Sequence, residues 1–286
     1  MDYRKTTQEN SMTLADTLTK IRFEKAAVAI GARVHGVAHD QEPAPAVVEA
    51  LRQGLHEHGV LIFDFGKGLD EDQQRTFSRL FGELEPVYGF STKQEDAQPR
   101  GDAAGCIDAK YQPLKQYRTA QWHTDGTPFE RPPQAAILAS VIPPELGGGT
   151  MWASMYAAYE ALSSHYQRLL DGLQVQHGTT RTPFVREHTQ FVHPAVIRDP
   201  VTGKKALYVN SVYSERFLDM SEPESDSLMQ FLFEHVNSPE FHVGLTWREG
   251  TVAVWEERVT QHRAVDAFVG TRRLRRMTIK GDKPSA

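Results

Sequence analysis

The stretch Gln121-Trp122-His123-Thr124-Asp125-Gly126-Thr127 carries the most information in this chain. It contains the chain's only His-x-Asp/Glu triplet, at His123 and Asp125. In an extended strand alternate side chains lie on one face, so this imidazole and this carboxylate can bind one metal ion from the same side. A third ligand must then come from a distant part of the chain.

His262 supplies that third ligand, at the end of Trp255-Glu256-Glu257-Arg258-Val259-Thr260-Gln261-His262. Two histidines and one carboxylate on one face of an octahedron leave three coordination positions open. That arrangement is typical of non-haem Fe(II) oxygenases and not of closed structural zinc sites. Most lone His-x-Asp triplets arise by chance, but the other histidines show no comparable pairing. His56 and His58 are expected at a solvated helix end, where the helix dipole favours positive charge.

Composition predicts an ordinary globular chain of 286 residues, with 40% hydrophobic and 24% charged residues. Because the three ligands lie far apart, we expect residues 21–286 to form one domain, after a loose polar terminus at 1–20. A net charge of -5 argues against general nucleic-acid binding, which needs clustered basic surface. The oligomeric state stays open, and assembly into a homo-oligomer is compatible with the sequence.

Three features that the sequence lacks indicate where in the cell the protein is expected: cysteine pairs, a membrane-spanning segment and a signal peptide. The single cysteine, Cys106, excludes an internal disulfide framework and suits a reducing cytoplasm; we interpret it as an incidental loop thiol. No stretch approaches the roughly 20 apolar residues that span a bilayer. The first residues lack the hydrophobic core of a signal peptide, so secretion and membrane insertion are not expected.

Hydrophobic periodicity predicts strands and helices in mixed order, which from the pattern alone indicates an α+β fold with a mostly β core. Asp70 and Gln73 form a helix start signal ahead of Phe77. Residues 88–117 show no clear hydrophobic period, and we regard 88–120 as a candidate active-site lid, with a disordered surface loop as the alternative.

The same hydrophobic patterns predict the individual elements. Strands are predicted at 27–34, 60–65, 135–142, 150–153, 196–198, 206–209, 241–247 and 251–255. Helices are predicted at 46–56, 156–170 and 222–236, the last with Leu228, Phe231 and Leu232 facing inward.

Several blocks resemble one family over nearly the whole chain. They are Ile30 to Val37, Val60 to Phe63, Phe77 to Leu84, Trp122 to Thr127, Gly147 to Trp152, Leu207 to Asn210 and Trp255 to Pro284. On these residues the chain resembles the TauD/TfdA family, the Fe(II)- and 2-oxoglutarate-dependent dioxygenases related to taurine dioxygenase and 2,4-dichlorophenoxyacetate dioxygenase. The resemblance implies a double-stranded β-helix, or jelly roll, with flanking helices.

The resemblance also implies a cofactor set. His123, Asp125 and His262 are expected to bind Fe(II), with 2-oxoglutarate as cosubstrate and O2 as oxidant. The implied reaction converts 2-oxoglutarate to succinate and CO2 and abstracts hydrogen from the substrate. Hydroxylation next to nitrogen, sulfur or oxygen would cleave a bond, and plain hydroxylation, desaturation or another oxidation are the alternatives. Related halogenases replace the carboxylate ligand with a small residue, so Asp125 disfavours halogenation.

The far carboxylate of 2-oxoglutarate needs a fixed cation, and arginine can bind it through two hydrogen bonds. The family pattern of two arginines, six and ten residues after an aspartate, matches Asp266, Arg272 and Arg276. We therefore assign Arg272 to 2-oxoglutarate, although counting from His262 favours Arg273. We expect Arg273 and Arg275 to lie on a solvated strand edge. Thr150 matches a family threonine that also binds this carboxylate.

The substrate is the least determined part of the prediction. Arg276 matches the family arginine that binds the substrate's acidic group. Glu85 stands where taurine-type members have a histidine that holds the sulfonate, so we predict that taurine is not the substrate. We expect a small acidic or zwitterionic molecule with an amine or other donor for Glu85, or else Glu85 points to solvent. The remaining candidate pocket residues, which could equally be plain wall, are Tyr88, Thr119, Thr182 and Tyr213.

Two departures from the family pattern accompany the match. The common Trp-Asp-Asn-Arg becomes Trp255-Glu256-Glu257-Arg258, and a usual tyrosine becomes Ala267. We expect neither change to touch a metal or cosubstrate ligand. Two other functions remain as alternatives: a zinc-type metallohydrolase in which the same triad activates water, and a non-catalytic metal-binding β-sandwich.

Overall fold

The computed structural model describes residues 21–39, 43–85, 105–110, 120–180 and 188–286, with the backbone alone at 105–110. The first half contains β1 (Arg22–Lys25), β2 (Ala32–His35), α1 (Pro45–His58), β3 (Val60–Asp64), α2 (Glu71–Arg79), β4 (Leu84–Glu85), β5 (Gly105–Lys110), β6 (Ala135–Ile142), β7 (Leu146–Gly147) and β8 (Thr150–Ser154). The second half contains α3 (Met155–Glu160), α4 (Ser164–Leu170), β9 (Gln174–Gly178), β10 (Gln190–Pro194), β11 (Val196–Arg198), β12 (Lys205–Leu207), β13 (Ser214–Phe217), α5 (Glu222–Val236), β14 (His242–Leu245), β15 (Thr251–Glu256), β16 (Thr260–Ala264), β17 (Phe268–Val269) and β18 (Thr271–Ile279).

Two sheets face each other and form the jelly roll. The large sheet has the order β1-β2-β3-β15-β6-β18-β4, with β5 also paired to β18, and the small sheet has the order β14-β8-β16. Their facing sides share one apolar cluster, which includes Ile62 and Leu274 from the large sheet and Trp152 and Leu245 from the small one. The expected jelly roll with flanking helices, a β-rich α+β core, is confirmed.

The outer face of the large sheet is covered by α1 and α2. Leu51 of α1 and Phe77 of α2 join Met277 and Ile279 of β18 in a second apolar cluster. Helix α2 begins as predicted with a capping box, in which the Asp70 side chain accepts from the backbone N–H of Gln73 and the Gln73 side chain accepts in return. Because α2 is held in this way, its buried face fixes the position of β18.

Several predicted elements differ from the observed ones. The strand predicted at 27–34 is an antiparallel pair, β1 and β2, separated by a bend, and the helix predicted at 156–170 is divided because Ser163 caps a new helix, α4. Phe231 was wrongly placed inside: it is 38% exposed and its ring stacks on Tyr166. Within 88–117 a strand, β5, pairs with β18, so Cys106 lies in a strand and not in a loop.

The expectation for His56 is also wrong. This side chain is buried in α1, and its Nδ1 lies 3.5 Å from Oδ2 of Asp199. A hydrogen bond to that carboxylate raises the pKa of His56. The position of His56 near a helix end predicted exposure to solvent. In the fold, however, the last turn of α1 packs against another part of the chain, where Asp199 lies. Among the described residues, no helix is both long and apolar enough to cross a membrane.

Candidate active site

The two candidate histidine ligands are joined through their backbones. The N–H of His123 donates to the carbonyl of His262 at 3.1 Å, and the N–H of His262 donates back at 2.8 Å. The loop before β6 is thereby paired with β16, and the two ring centroids lie 4.2 Å apart. A ladder of two hydrogen bonds thus brings together residues from distant parts of the sequence.

Asp125 completes the triad. Its Oδ1 lies 3.5 Å from Nε2 of His123, and its Oδ2 lies 3.4 Å from Nε2 of His262. The three potential ligand atoms all lie within 4.8 Å of one another, and all three side chains are buried. Nδ1 of His123 contacts the Gln121 carbonyl at 2.7 Å, which turns its Nε2 toward the site. Two imidazoles and one carboxylate in this arrangement fit a divalent iron ion.

The charges of the site suit metal binding. Burial alone would raise the pKa of Asp125, but Arg276 and the two histidines outweigh it and hold that pKa below its ordinary value. Burial, together with the neighbouring His123, lowers the pKa of His262. An ionised carboxylate and a neutral imidazole are the forms that bind a metal ion, so little protonation has to be undone when the ion enters.

Thr150 opens β8 close to the triad. It pairs with Ala264, two residues from His262 on β16, so the side chains of Thr150 and His262 share a face as diagonal neighbours. Its hydroxyl accepts a hydrogen bond from Nε1 of Trp247 at 3.0 Å. The preceding Gly147 has φ +72°, and a Cβ there would lie 2.2 Å from the Ala267 carbonyl, so only glycine permits this approach.

Arg272 is buried beside this turn. Its Nη1 donates to the Gly148 carbonyl at 2.7 Å, and its guanidinium lies over the Phe268 ring. Among the described residues, its Nε has no hydrogen-bond partner. A buried cation with a spare donor fits the far carboxylate of 2-oxoglutarate.

The next arginines of β18 alternate between faces. Arg273 is half-buried, and Arg275 faces α2, where its Nε donates to Oε1 of Gln74 at 2.7 Å. The prediction that Arg275 is solvated is therefore wrong, because α2 covers that face of the large sheet. Arg272 and Arg276 share the opposite face, toward the small sheet.

Arg276 lies against the triad. Its Nη1 is 2.6 Å from Oδ2 of Asp125, and its Nη2 donates to Oε1 of Glu257 at 2.9 Å.

Two candidate substrate residues lie near this arginine and the triad. Glu85 pairs with Thr278 and is therefore a diagonal neighbour of Arg276 on the same face of the sheet. Burial raises the pKa of the half-buried Glu85 to about 7, with Lys280 opposing. The ring of Tyr213 lies 6.5 Å from that of His123.

Three candidate pocket residues lie outside the described residues, as does most of the candidate lid at 88–120. They are Tyr88, Thr119 and Thr182. Their places in the pocket stay predictions.

Glu257 is the site residue that the sequence reasoning missed. It is fully buried, and its Oε2 accepts from the backbone N–H of Asp125 at 3.2 Å and lies 3.8 Å from Nδ1 of His262. The expectation that the departures in Trp255-Glu256-Glu257-Arg258 touch no ligand is therefore wrong for Glu257. An acidic residue in place of a neutral one, five positions before a ligand, was the available signal.

A two-sheet jelly roll that holds a buried His-Asp-His triad beside a row of buried arginines defines the class of Fe(II)- and 2-oxoglutarate-dependent oxygenases. Residues 22–278 match the model of the taurine catabolism dioxygenase TauD, TfdA family. The chain belongs to this family.

Relatives and solved structures agree with that placement. The chain is 32% identical over 275 residues to the alpha-ketoglutarate-dependent sulfate ester dioxygenase of Pseudomonas putida, covering 89% of this chain and 88% of that one. It is 30% identical over 282 residues to an alkylsulfatase of Acinetobacter baylyi, covering 92% and 86%. A taurine dioxygenase from Burkholderia xenovorans superposes with a TM-score of 0.78 at 34% identity, covering 93% of this chain and 92% of that one.

The protein is thus an oxidoreductase that uses Fe(II), 2-oxoglutarate and O2. A zinc-type hydrolase and a non-catalytic metal-binding sandwich receive no support from the family or from these relatives.

Proposed function

We propose that His123, Asp125 and His262 hold Fe(II), that Thr150 and Arg272 bind the far carboxylate of 2-oxoglutarate, and that the enzyme oxidises a small organic acid. The meeting of three buried ligand atoms within 4.8 Å carries this proposal. Bound Fe(II) supplies the oxidative chemistry, in which O2 converts 2-oxoglutarate to succinate and CO2 as the substrate is oxygenated.

The chain's own residues position the reactants and exclude water. His123, Asp125 and His262 would hold the ion from one side and would leave coordination positions for the cosubstrate and O2. Trp255 packs behind His262 with ring centroids 5.0 Å apart, and Trp152 packs behind Trp255 at 5.6 Å. These buried indoles keep that side of the site dry, which strengthens its electrostatic interactions.

Succinate formation tests the roles of the triad. We expect Fe(II)- and O2-dependent conversion of 2-oxoglutarate to succinate by the wild-type protein, and its loss in His123→Ala and Asp125→Ala, because each removes a metal ligand. His35→Ala, at an exposed position on β2, is the matched control and should retain full activity. Undiminished succinate formation in the two triad variants would refute the assignment.

The substrate we propose is a small acid that also carries a hydrogen-bond donor. The match of Arg276 to the family arginine that binds an acidic group supports the acid, and Glu85, a diagonal neighbour of Arg276 on the same sheet face, supports the donor. Two relatives are named for sulfate esters or alkyl sulfates, so a small sulfate ester is the second candidate class. The carboxylate of Glu85 disfavours taurine, because it would repel a sulfonate where taurine-type members offer an imidazole.

Substrate-dependent succinate release from a panel of amino-acid-like acids, sulfate esters and alkylsulfonates tests this proposal. We expect amino-acid-like and other zwitterionic acids without a sulfonate to be favoured over alkylsulfonates such as taurine, and Glu85→His to narrow the difference in turnover. Because burial raises the pKa of Glu85 to about 7, its carboxyl is neutral below that pH and charged above it. The bias against taurine should therefore be larger at pH 8 than at pH 6, and efficient turnover of taurine at pH 8 would contradict the proposal.

We also propose a cytoplasmic location and no nucleic-acid or membrane partner. A single cysteine suits a reducing compartment, where Fe(II) also stays reduced. The acidic net charge of -5 disfavours binding to nucleic acid.

A further inference from the structure

Glu257 occupies a fixed position behind the metal triad. It begins the short 3-10 turn Glu257–Val259 that connects β15 with β16, and its side chain is fully buried. Its backbone N–H donates to the Gln134 carbonyl at 2.8 Å, which anchors the turn to the start of β6. The carboxylate therefore cannot move far from the ligands beside it.

Two N–H groups donate to this carboxylate, and an imidazole nitrogen of a metal-ligand candidate lies close to it. The Asp125 backbone N–H donates to Oε2 at 3.2 Å, and Nη2 of Arg276 donates to Oε1 at 2.9 Å. Nδ1 of His262 lies 3.8 Å from Oε2 and has no hydrogen-bond partner among the described residues. If His262 held a metal ion through Nε2, its Nδ1 would carry the ring proton on the side that faces Glu257.

This set of neighbours suits a carboxylate and no amide. Each oxygen of the Glu257 carboxyl group faces an N–H donor, whereas the amide of glutamine would turn an NH2 group toward one of these donors. The loss of an acceptor from a buried N–H is costly because no water replaces it.

Arg276 connects Glu257 to Asp125, one of the three candidate metal ligands. Its Nη1 lies 2.6 Å from Oδ2 of Asp125, a carboxylate of the triad, so the guanidinium and a bound metal ion would both contact this side chain. Glu257 holds the other end of the guanidinium, whose face lies over the Trp255 ring. Without Glu257, Arg276 would have one of these two carboxylates left, Asp125, and would draw it away from the ion.

We propose that Glu257 is a positioning residue that orients Asp125, His262 and Arg276 together and so sets the affinity and geometry of the metal site. This inference rests on the proposed metal role of His123, Asp125 and His262. Buried carboxylates behind histidine ligands commonly contribute about tenfold to 100-fold in metal affinity.

The chain offers a matched control one residue away. Glu256 is equally buried, but it accepts from Nε of Arg258 at 2.6 Å and from Nε2 of Gln134 at 3.4 Å, and within the described part of the chain it has no hydrogen bond or ion pair with the triad. Glu256→Gln and Glu257→Gln thus make the same exchange of a carboxyl group for an amide at neighbouring, fully buried positions, and only the second alters the neighbours of the metal ligands.

The experiment measures binding of Mn(II), and the absorption spectrum of bound Co(II), with the full-length protein and no cosubstrate or substrate. We expect Glu257→Gln to bind Mn(II) about tenfold to 100-fold more weakly than wild type and to shift the Co(II) bands. Glu256→Gln should lower the midpoint of thermal unfolding but keep wild-type Mn(II) affinity and Co(II) bands.

Wild-type metal affinity and spectrum in Glu257→Gln would overturn the inference, as would equal losses in both variants. If Glu257→Gln does not fold, Glu257→Asp decides, since it keeps the acceptor oxygens but withdraws them by one methylene: weaker binding and shifted bands support the role, and wild-type values refute it. Because no substrate is present, failure of the substrate proposal leaves this result intact. Absence of Mn(II) binding in the wild type would instead refute the metal site itself.

Discussion

Arg272 and Arg273 are adjacent in sequence, yet β18 turns them to opposite faces of the large sheet. Arg272 is buried near Thr150, whereas Arg273 is half-buried on the side toward α2. Counting along the sequence left both registers open. The face of the strand supports Arg272 as the partner of 2-oxoglutarate.

The prediction is that Arg272→Ala raises the 2-oxoglutarate requirement far more than Arg273→Ala. Loss of one partner of a buried charge-assisted pair commonly costs about 3–5 kcal/mol. Anaerobic titration of 2-oxoglutarate into each Fe(II)-loaded variant, followed by the metal-to-ligand charge-transfer band, measures this difference. A larger effect at position 273 would reverse the register.

At the scale of elements, β18 serves two layers at once. Its inward side chains reach the site, and its outward side chains bind α2: Nε of Arg275 donates to Oε1 of Gln74, and Nε2 of Gln74 donates to the Arg275 carbonyl at 2.9 Å. Nη2 of Arg275 also donates to the Leu69 carbonyl just before α2. The helix and the strand that supports the site are therefore cross-linked by buried hydrogen bonds.

Arg275→Ala should lower the free energy of unfolding by about 1–3 kcal/mol for each buried acceptor left unsatisfied. Denaturant unfolding of the metal-free protein measures the loss. Arg33→Ala, on the exposed face of β2, is the control and should change stability by less than about 0.5 kcal/mol. Equal stability of the two variants would show that this cross-link contributes nothing to the fold.

At the scale of the whole molecule, the metal site joins segments that are far apart in sequence. His123 and Asp125 precede β6 of the large sheet, and His262 lies on β16 of the small sheet. Ligand binding to these residues therefore stabilises the packing of one sheet against the other.

We expect Mn(II) at 100 times its dissociation constant to stabilise the folded protein by about 2.7 kcal/mol, because the ion binds the folded state alone. Thermal unfolding with and without the ion measures this as a rise of several degrees, which a chelator should reverse. His123→Ala should show little rise. An equal rise in that variant would mean that the ion binds elsewhere.

The sequence by itself determined the chemistry of the protein. The His-x-Asp triplet and the distant histidine predicted an Fe(II) site with open coordination positions. The family resemblance predicted 2-oxoglutarate, the arginine spacing that binds it and the jelly roll, because each depends on residue types at set spacings. The capping box at Asp70 and helix α5 were also predicted correctly, since their signals are local.

Tertiary structure alone decided which polar groups are buried. His56, Arg275 and Glu257 each have residue types that favour solvent, but each is enclosed by an element from another part of the chain. The local sequence does not predict that these side chains are buried, because their partners lie far away in sequence: Asp199 for His56 and Gln74 for Arg275. Glu257 meets Asp125 and Arg276 because the sheets close around the site, and only that closure makes it a neighbour of the metal ligands.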